Sequence, residues 1–507
     1  MRAHIAFLAS DLLEGREAGT RGYDIAADYA ASQFRQMGLK PAGENGTWFQ
    51  RTPLVAYRAA DAGSLALTGL GGARAELVAN EDFVVIRNPT REIRRSAPLV
   101  FVGYGVVAPE RRRDDYVGLD VRGKIVVALE GAPRNFQTEE RAYYRSARTK
   151  RLEAEKHGAV GFISVGTPAS EDARPFTTEA RNARAWAMTW RDATGRPYEV
   201  APSVPQLALV SVKGAAKLFA GARTPLEKVY AAGDNPPRFE LAVRAEAVTR
   251  AETRNSESHN VAGLIPGSDP TLAKETVVLS AHLDHVGLTE PVNGDGINNG
   301  ALDNASGVAT ALEMARTFME SAERPKRSIL VLLVTAEEKG LVGAEYFARN
   351  PTVPREDLVA NVNLDMPLLT YDFTDVVAFG AERSGIGPVV RQAAGGMGIG
   401  LSPDPLPEEG LFTRSDHYRF VEAGVPSVFL MTGFQNGGEA KFRGFLSGCY
   451  HHPCDDTAQP IDYAAGAKFA RLNYEIAKAL ANAPERPRWN RDDFFGRKFS
   501  QPAQRQP

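Results

Sequence analysis

The sequence predicts an α/β fold, a mixed sheet with a mostly parallel centre flanked by helices and interrupted by an inserted, mostly β module. Three observations carry this. Over residues 276–483, short apolar runs of strand type alternate with stretches of helical period. Between about residues 57 and 243 the strand-like runs are shorter, Gly and Pro interrupt often, and few helical periods are long. At 507 residues the chain is also too long for one ordinary core. The expected organisation is a main domain from residues 1–56 and 244–484, an insertion at 57–243 and a tail at 485–507.

In chain order, residues 9–39 carry a helix whose apolar face needs a partner, which the later α/β half supplies. SAPLVFVGYGVVAP (96–109), GKIVVALEGAP (123–133) and GAVGFISVG (158–166) read as strands of the insertion. TVVLSA (276–281) reads as a buried strand, GVATALEMARTFMES (307–321) as a helix and SILVLLVTA (328–336) as the next strand. AEYFARN (344–350) falls within a helix, and LVANVNLD (358–365) is a further strand. The Pro- and Arg-rich end after residue 483 is expected to lie on the surface or be disordered.

Bulk properties exclude several functions. Lys plus Arg number 60 against 62 Asp plus Glu, which removes the electrostatic case for a nucleic-acid partner. Arg111, Arg112 and Arg113 are followed at once by Asp114 and Asp115, a solvated loop. No apolar stretch reaches the roughly 18 residues of a transmembrane segment. The first residues lack the features of a signal peptide, so either a cytosolic location or an export signal outside this sequence is expected. Two cysteines cannot form a disulfide scaffold. The oligomeric state is not legible.

Chemistry concentrates in SAHLDHVGLTEPVNGDGINNGALD (280–303) and continues at Glu337, Glu338, Asp365 and His451. His nitrogen and carboxylate oxygen are zinc ligands, and a bridging carboxylate with one unligated Glu suits a two-zinc hydrolase. His282, the Glu337–Glu338 pair and Asp365 each fall at the end of a predicted strand, where parallel sheets bind ligands. Asp284, two residues from His282 on an extended end, is placed to accept a hydrogen bond from the imidazole. Singly, each residue has a plainer reading. Asp303 suits a helix N-cap, Glu337 and Glu338 a solvated loop, Asp365 a turn, and His451 with His452 a surface pair. The conjunction of all of them favours the metal. Cys449 and Cys454 flank His451 and admit three readings: two buried thiols, soft metal ligands, or a disulfide clamping the loop, the last slightly favoured.

AHLDH, ALDNASG, TAEEKGLVGAEYF, NLDM, SDHYRFVEAGVPSVF and YHHPCDD, in this order, resemble the successive signatures of the M28 family of zinc metallopeptidases. LASDLLEGREAGTRG near the start belongs to the same resemblance. GYGVVAPE with DDYVGLDVRGKIVV resembles the protease-associated (PA) domain that some members carry as an insertion. The resemblance implies two zinc ions per chain, one on His282 and Asp365, the other on Glu338 and His451, bridged by Asp303. It implies Glu337 as general base and peptides as substrates. Tyr450 becomes either a hydrogen-bond donor to the developing oxyanion or an aromatic packed under the loop. Release of N-terminal residues is expected; a glutamate carboxypeptidase II type of cleavage, a glutaminyl-cyclase-like transferase using one zinc, and a non-catalytic binding module are the alternatives. Arg414 and Arg443 are the candidates for holding a substrate carboxylate. A periplasmic or secreted location follows from the resemblance, and the PA-like insertion is expected to roof the cleft. Two departures stand out: Leu302 precedes Asp303 where many relatives have a second acidic residue, and Pro367 follows NLDM. His451 rather than His452 is the expected ligand, because Tyr450, Pro453 and Asp455 then fit the pattern together.

Overall fold

A computed structural model describes residues 1–69 and 71–500. The chain divides into two compact units, Met1–Pro53 with Ser256–Pro507, and Leu54–Asn255.

The first unit is built on a mixed sheet whose centre is parallel. Strand Thr276–His282 lies between Ser328–Val334 and Leu358–Asn363, parallel to both. Leu358–Asn363 continues in parallel to Ser427–Thr432. Antiparallel pairings flank this centre: residues 261–265 pair with 329–333 on one side, and Asp375–Phe379 pairs with Ser427–Thr432 on the other. Every residue of Thr276–His282 and Ser328–Val334 is buried, as expected for near-continuous Val, Ile and Leu runs covered on both faces.

Helices supply the cover. Arg21–Met37 begins where the Thr20 side chain accepts from the Tyr23 amide and ends at Gly38, whose φ of 80° suits a C-terminal cap. Its buried stripe of Tyr23, Ala26, Ala27, Ala30, Ala31 and Phe34 follows helical spacing. Ser306–Glu320 and Tyr463–Asn482 pack in the same unit, the latter capped by the Asp462 carboxylate on the Ala464 and Ala465 amides. Beyond it the chain does not lie loose, contrary to the sequence expectation. Trp489 and Phe495 are buried, the Trp489 indole donates to the Gly424 carbonyl at 2.8 Å, and Arg383 pairs with Asp493 at 3.2 Å. The aromatic residues of WNRDDFF outweigh the Pro and Arg content of the segment around it. Residues 501–507 lie outside the described residues.

In the second unit, Glu92–Phe101, Ile125–Leu129, Gly161–Val165 and Gln206–Val210 form successive parallel pairs, extended by antiparallel Phe83–Val85. Alternate residues serve opposite faces. Leu99, Phe101, Ile125, Val127 and Ile163 enter one core, while Val100, Val102, Val126, Ala128 and Phe162 enter another. The unit carries more helix than its sequence suggests, including Thr138–Arg145, Ala147–Lys156 and Val212–Leu218. Helices of two or three turns are too short for their period to stand out. Among the described residues no helix is long and apolar enough to cross a membrane.

Candidate metal centre

Three adjacent parallel strands deliver most of the predicted site residues at their carboxyl ends. His282 closes Thr276–His282, Glu337 and Glu338 follow Ser328–Val334, and Asp365 comes two residues after Leu358–Asn363. The chain runs from the central strand to the neighbour on one side and later to the neighbour on the other, so the sheet parts at the end of the central strand. Asp303 stands in the turn before helix Ser306–Glu320, with a cis peptide to Asn304. His451 lies in the loop between Gly438–Gly448 and Tyr463–Asn482.

Two groups of potential ligand atoms meet at Asp303. Its Oδ1 is 3.3 Å from His282 Nε2, which is 3.1 Å from Asp365 Oδ1. Its Oδ2 is 3.3 Å from His451 Nε2, which is 3.0 Å from Glu338 Oε2. Two atoms bonded to one zinc at about 2.0–2.1 Å and the tetrahedral angle stand about 3.3 Å apart. Each half therefore has the spacing of one ion's ligands, and the two halves share a carboxylate. His452 is exposed and takes no part.

The electrostatics point the same way. Burial pulls the His451 imidazole down, but Glu338 and Asp303 outweigh it and lift it to about 10. His282 is likewise raised well above its ordinary value, against burial, by Asp365 and Glu337. Burial would raise Glu338, yet His451 and His285 hold it well below the carboxylate range. Asp303 is also lowered, since hydrogen bonds from His282 and His451 overcome burial and the Glu338 charge. The carboxylates thus draw positive charge into a desolvated site, which imidazolium supplies in the metal-free chain and a divalent cation supplies better. Glu337 differs: burial and the Asp365 and Glu338 charges push its carboxyl well up, opposed by His282.

A second row of contacts fixes the ligands. His282 Nδ1 faces the Asp284 carbonyl at 3.1 Å, which can only accept, so Nδ1 keeps its proton and Nε2 is the nitrogen that gives one up to ligate a metal. This corrects the expected role of Asp284. Its carboxylate turns away from the imidazole and accepts from the Glu337 and Glu338 amides at 3.0 and 3.3 Å, loop donors that no strand satisfies. His285 Nδ1 meets Glu338 Oε1 at 2.8 Å, and Ser415 Oγ donates to Asp365 Oδ2 at 2.5 Å. Asp455 accepts from the Leu302 and Asp303 amides at 2.8 and 3.0 Å. His285, Ser415 and Asp455 were missed as functional residues although they sit inside AHLDH, SDHYRF and YHHPCDD; their only sequence signal is this nearness to the ligands. The Tyr450 ring stacks on His451 with centroids 3.8 Å apart. Burial and the Asp303 and Glu338 charges raise its phenol well above its ordinary value, so it remains a donor. Cys449 and Cys454 form a disulfide that closes the loop around His451.

Residues 260–477 match the model of peptidase family M28. Leupeptin-inactivating enzyme 1 of Streptomyces exfoliatus is 29% identical over 234 residues, 44% of this chain and 48% of the relative. A probable zinc metalloprotease of Pyricularia oryzae is 30% identical over 264 residues, 46% of this chain and 51% of the relative. The alignments thus span about half the length of these curated relatives. Among solved structures, the aminopeptidase from Aneurinibacillus sp. strain AM-1 superposes with a TM-score of 0.54 at 19% identity, covering 96% of this chain and 95% of that one. The aligned residues include parts of both units, and the likeness is one of fold alone.

Proposed function

We propose that the chain is a zinc-dependent exopeptidase that uses two ions and releases N-terminal residues from peptides. One observation carries the reading: the two oxygens of Asp303 face separate His and carboxylate pairs, His282 with Asp365 and His451 with Glu338. Zinc held there would supply Lewis acidity for the scissile carbonyl and for the attacking water. Glu337 accepts the water's proton and passes it to the leaving amine. Tyr450 donates a hydrogen bond to the carbonyl oxygen as it gains charge. Ser415, His285 and Asp455 hold the ligand loops in place while this happens.

Cleavage from the N-terminus is favoured over cleavage from the C-terminus by the state of the two arginines. Arg414 pairs with Glu409 at 2.8 Å and Arg443 with Glu439 at 2.9 Å. Each candidate for holding a substrate carboxylate already has a carboxylate partner within its own segment. The test is a panel of aminoacyl substrates with free and acetylated α-amines, run on zinc-loaded protein. Blocking the amine is expected to lower kcat/KM by roughly 10- to 100-fold, the value of a hydrogen bond to a charged group. A preference for blocked peptides with a free C-terminal carboxylate would reverse the direction of cleavage.

A further inference from the structure

We infer that Arg16 is a positioning residue of the metal centre, a rigid tie that sets the gap between the loop carrying His282 and the loop carrying Asp303. The inference rests on the zinc reading above. Arg16 is 1% exposed, yet among the described residues it pairs directly with no carboxylate. Its guanidinium spends its donors on backbone carbonyls: Nε on Leu283 at 2.9 Å, Nη2 on Gly300 at 2.9 Å, and Nη1 on Leu8 at 2.7 Å and on Asn299. Leu283 directly follows His282, and Gly300 lies three residues before Asp303. The planar fork has donors in fixed directions, so it dictates how far apart the two loops stand.

The surrounding segment is built to hold that fork. The His285 amide donates to the Arg16 carbonyl at 3.3 Å, and Lys339, next to Glu338, pairs with Glu17 at 2.8 Å. Asn299 Nδ2 donates to the Ala9 carbonyl at 3.0 Å and to Asp11 at 2.8 Å. At Gly15, with φ of 72°, a Cβ would come within 2.5 Å of the Asn298 carbonyl, so only glycine allows this approach. Arg16 itself has φ of 40°, an uncommon conformation that these contacts over-determine. Three of the ligand-bearing segments, those around His282, Asp303 and Glu338, are therefore gripped by one short N-terminal segment.

Charge and geometry make opposite demands, which sharpens the test. A fixed cation near a cation site weakens metal binding; a tie that spaces the ligands strengthens it. Arg327 serves as the control. It is also fully buried and donates to the Leu480 and Ala483 carbonyls while pairing with Glu275, but it touches none of the site loops. Zinc affinity of the wild type, Arg16→Lys, Arg16→Met and Arg327→Lys is measured by competition with a chromophoric chelator, alongside the thermal stability of each metal-free protein. Both Arg16 variants should bind zinc about 10- to 100-fold more weakly, the usual cost of losing a partner behind the ligands. Arg327→Lys should lose stability and keep the wild-type affinity. Wild-type or tighter binding in both Arg16 variants overturns the inference, as does an equal loss in Arg327→Lys. If neither Arg16 variant folds without metal, Arg16 belongs to the fold rather than to the site. A wild type that binds no zinc refutes the metal reading instead.

Discussion

Glu337 and Glu338 are adjacent in sequence and meet different partners. Glu338 is bracketed by His285 at 2.8 Å and His451 at 3.0 Å, and both hold it ionised. Glu337 has its carboxyl pushed up by burial and by like charges, opposed by His282. Glu337→Gln is expected to retain zinc while kcat falls by about 10²- to 10⁴-fold, the usual worth of base catalysis. Glu338→Gln should lose zinc. Metal analysis beside kcat checks both, and zinc loss in the Glu337 variant with activity kept in the Glu338 variant exchanges the roles. At this scale the sequence was informative where residue type alone limits the chemistry: His282, Asp303, Glu338, Asp365 and His451 all converge. It was silent on direction. Whether Asp284 turns to an imidazole or to two amides depends on backbone donors that appear only once the Glu337–Glu338 loop is folded.

Among the elements, the strands were the most legible, because unbroken Val, Ile and Leu runs have few alternatives to a buried parallel strand. Asp303 was ambiguous between a cap and a bridge; its side chain faces two imidazoles, and the Asp455 carboxylate takes up the loop amides instead. The short helices of the second unit were hidden by their length. The His451 loop is closed by the Cys449–Cys454 bond, with Cα atoms 5.1 Å apart. So short a loop contributes about 2 kcal/mol or less through the unfolded chain, and its larger effect is to hold His451. Paired Cys449→Ser and Cys454→Ser changes should lower the melting temperature by a few degrees and speed zinc release. A stopped-flow release rate equal to that of the wild type would leave the bond with a stability role alone.

Over the whole molecule, the proposed ligands all belong to the unit formed by Met1–Pro53 and Ser256–Pro507, and none comes from Leu54–Asn255. Sequence order could suggest that division, since the motifs stop and restart around the insertion, but it could not show that the N-terminal segment grips the ligand loops. Arg16 reads as an ordinary arginine until its carbonyl partners, some 270 residues away, are brought beside it. The docked end at Trp489 and Phe495 escaped for a similar reason, its aromatic residues being outnumbered by polar ones in the linear text.

Calorimetric titration of zinc into chelated protein tests the two-ion centre shared through Asp303 most directly. In the metal-free chain His451 is raised to about 10 and His282 well above its ordinary value, so both carry protons at neutral pH. Zinc must displace them, because only the neutral imidazole ligates. The metal-free form binds the extra protons, so affinity should rise with pH from about 6.5 toward 10 and fall in acid. Titrations at pH 7 in buffers of different ionisation enthalpy are predicted to give two zinc ions per chain and a net release of protons. A single ion, no binding, or binding that weakens as the pH rises would contradict the account.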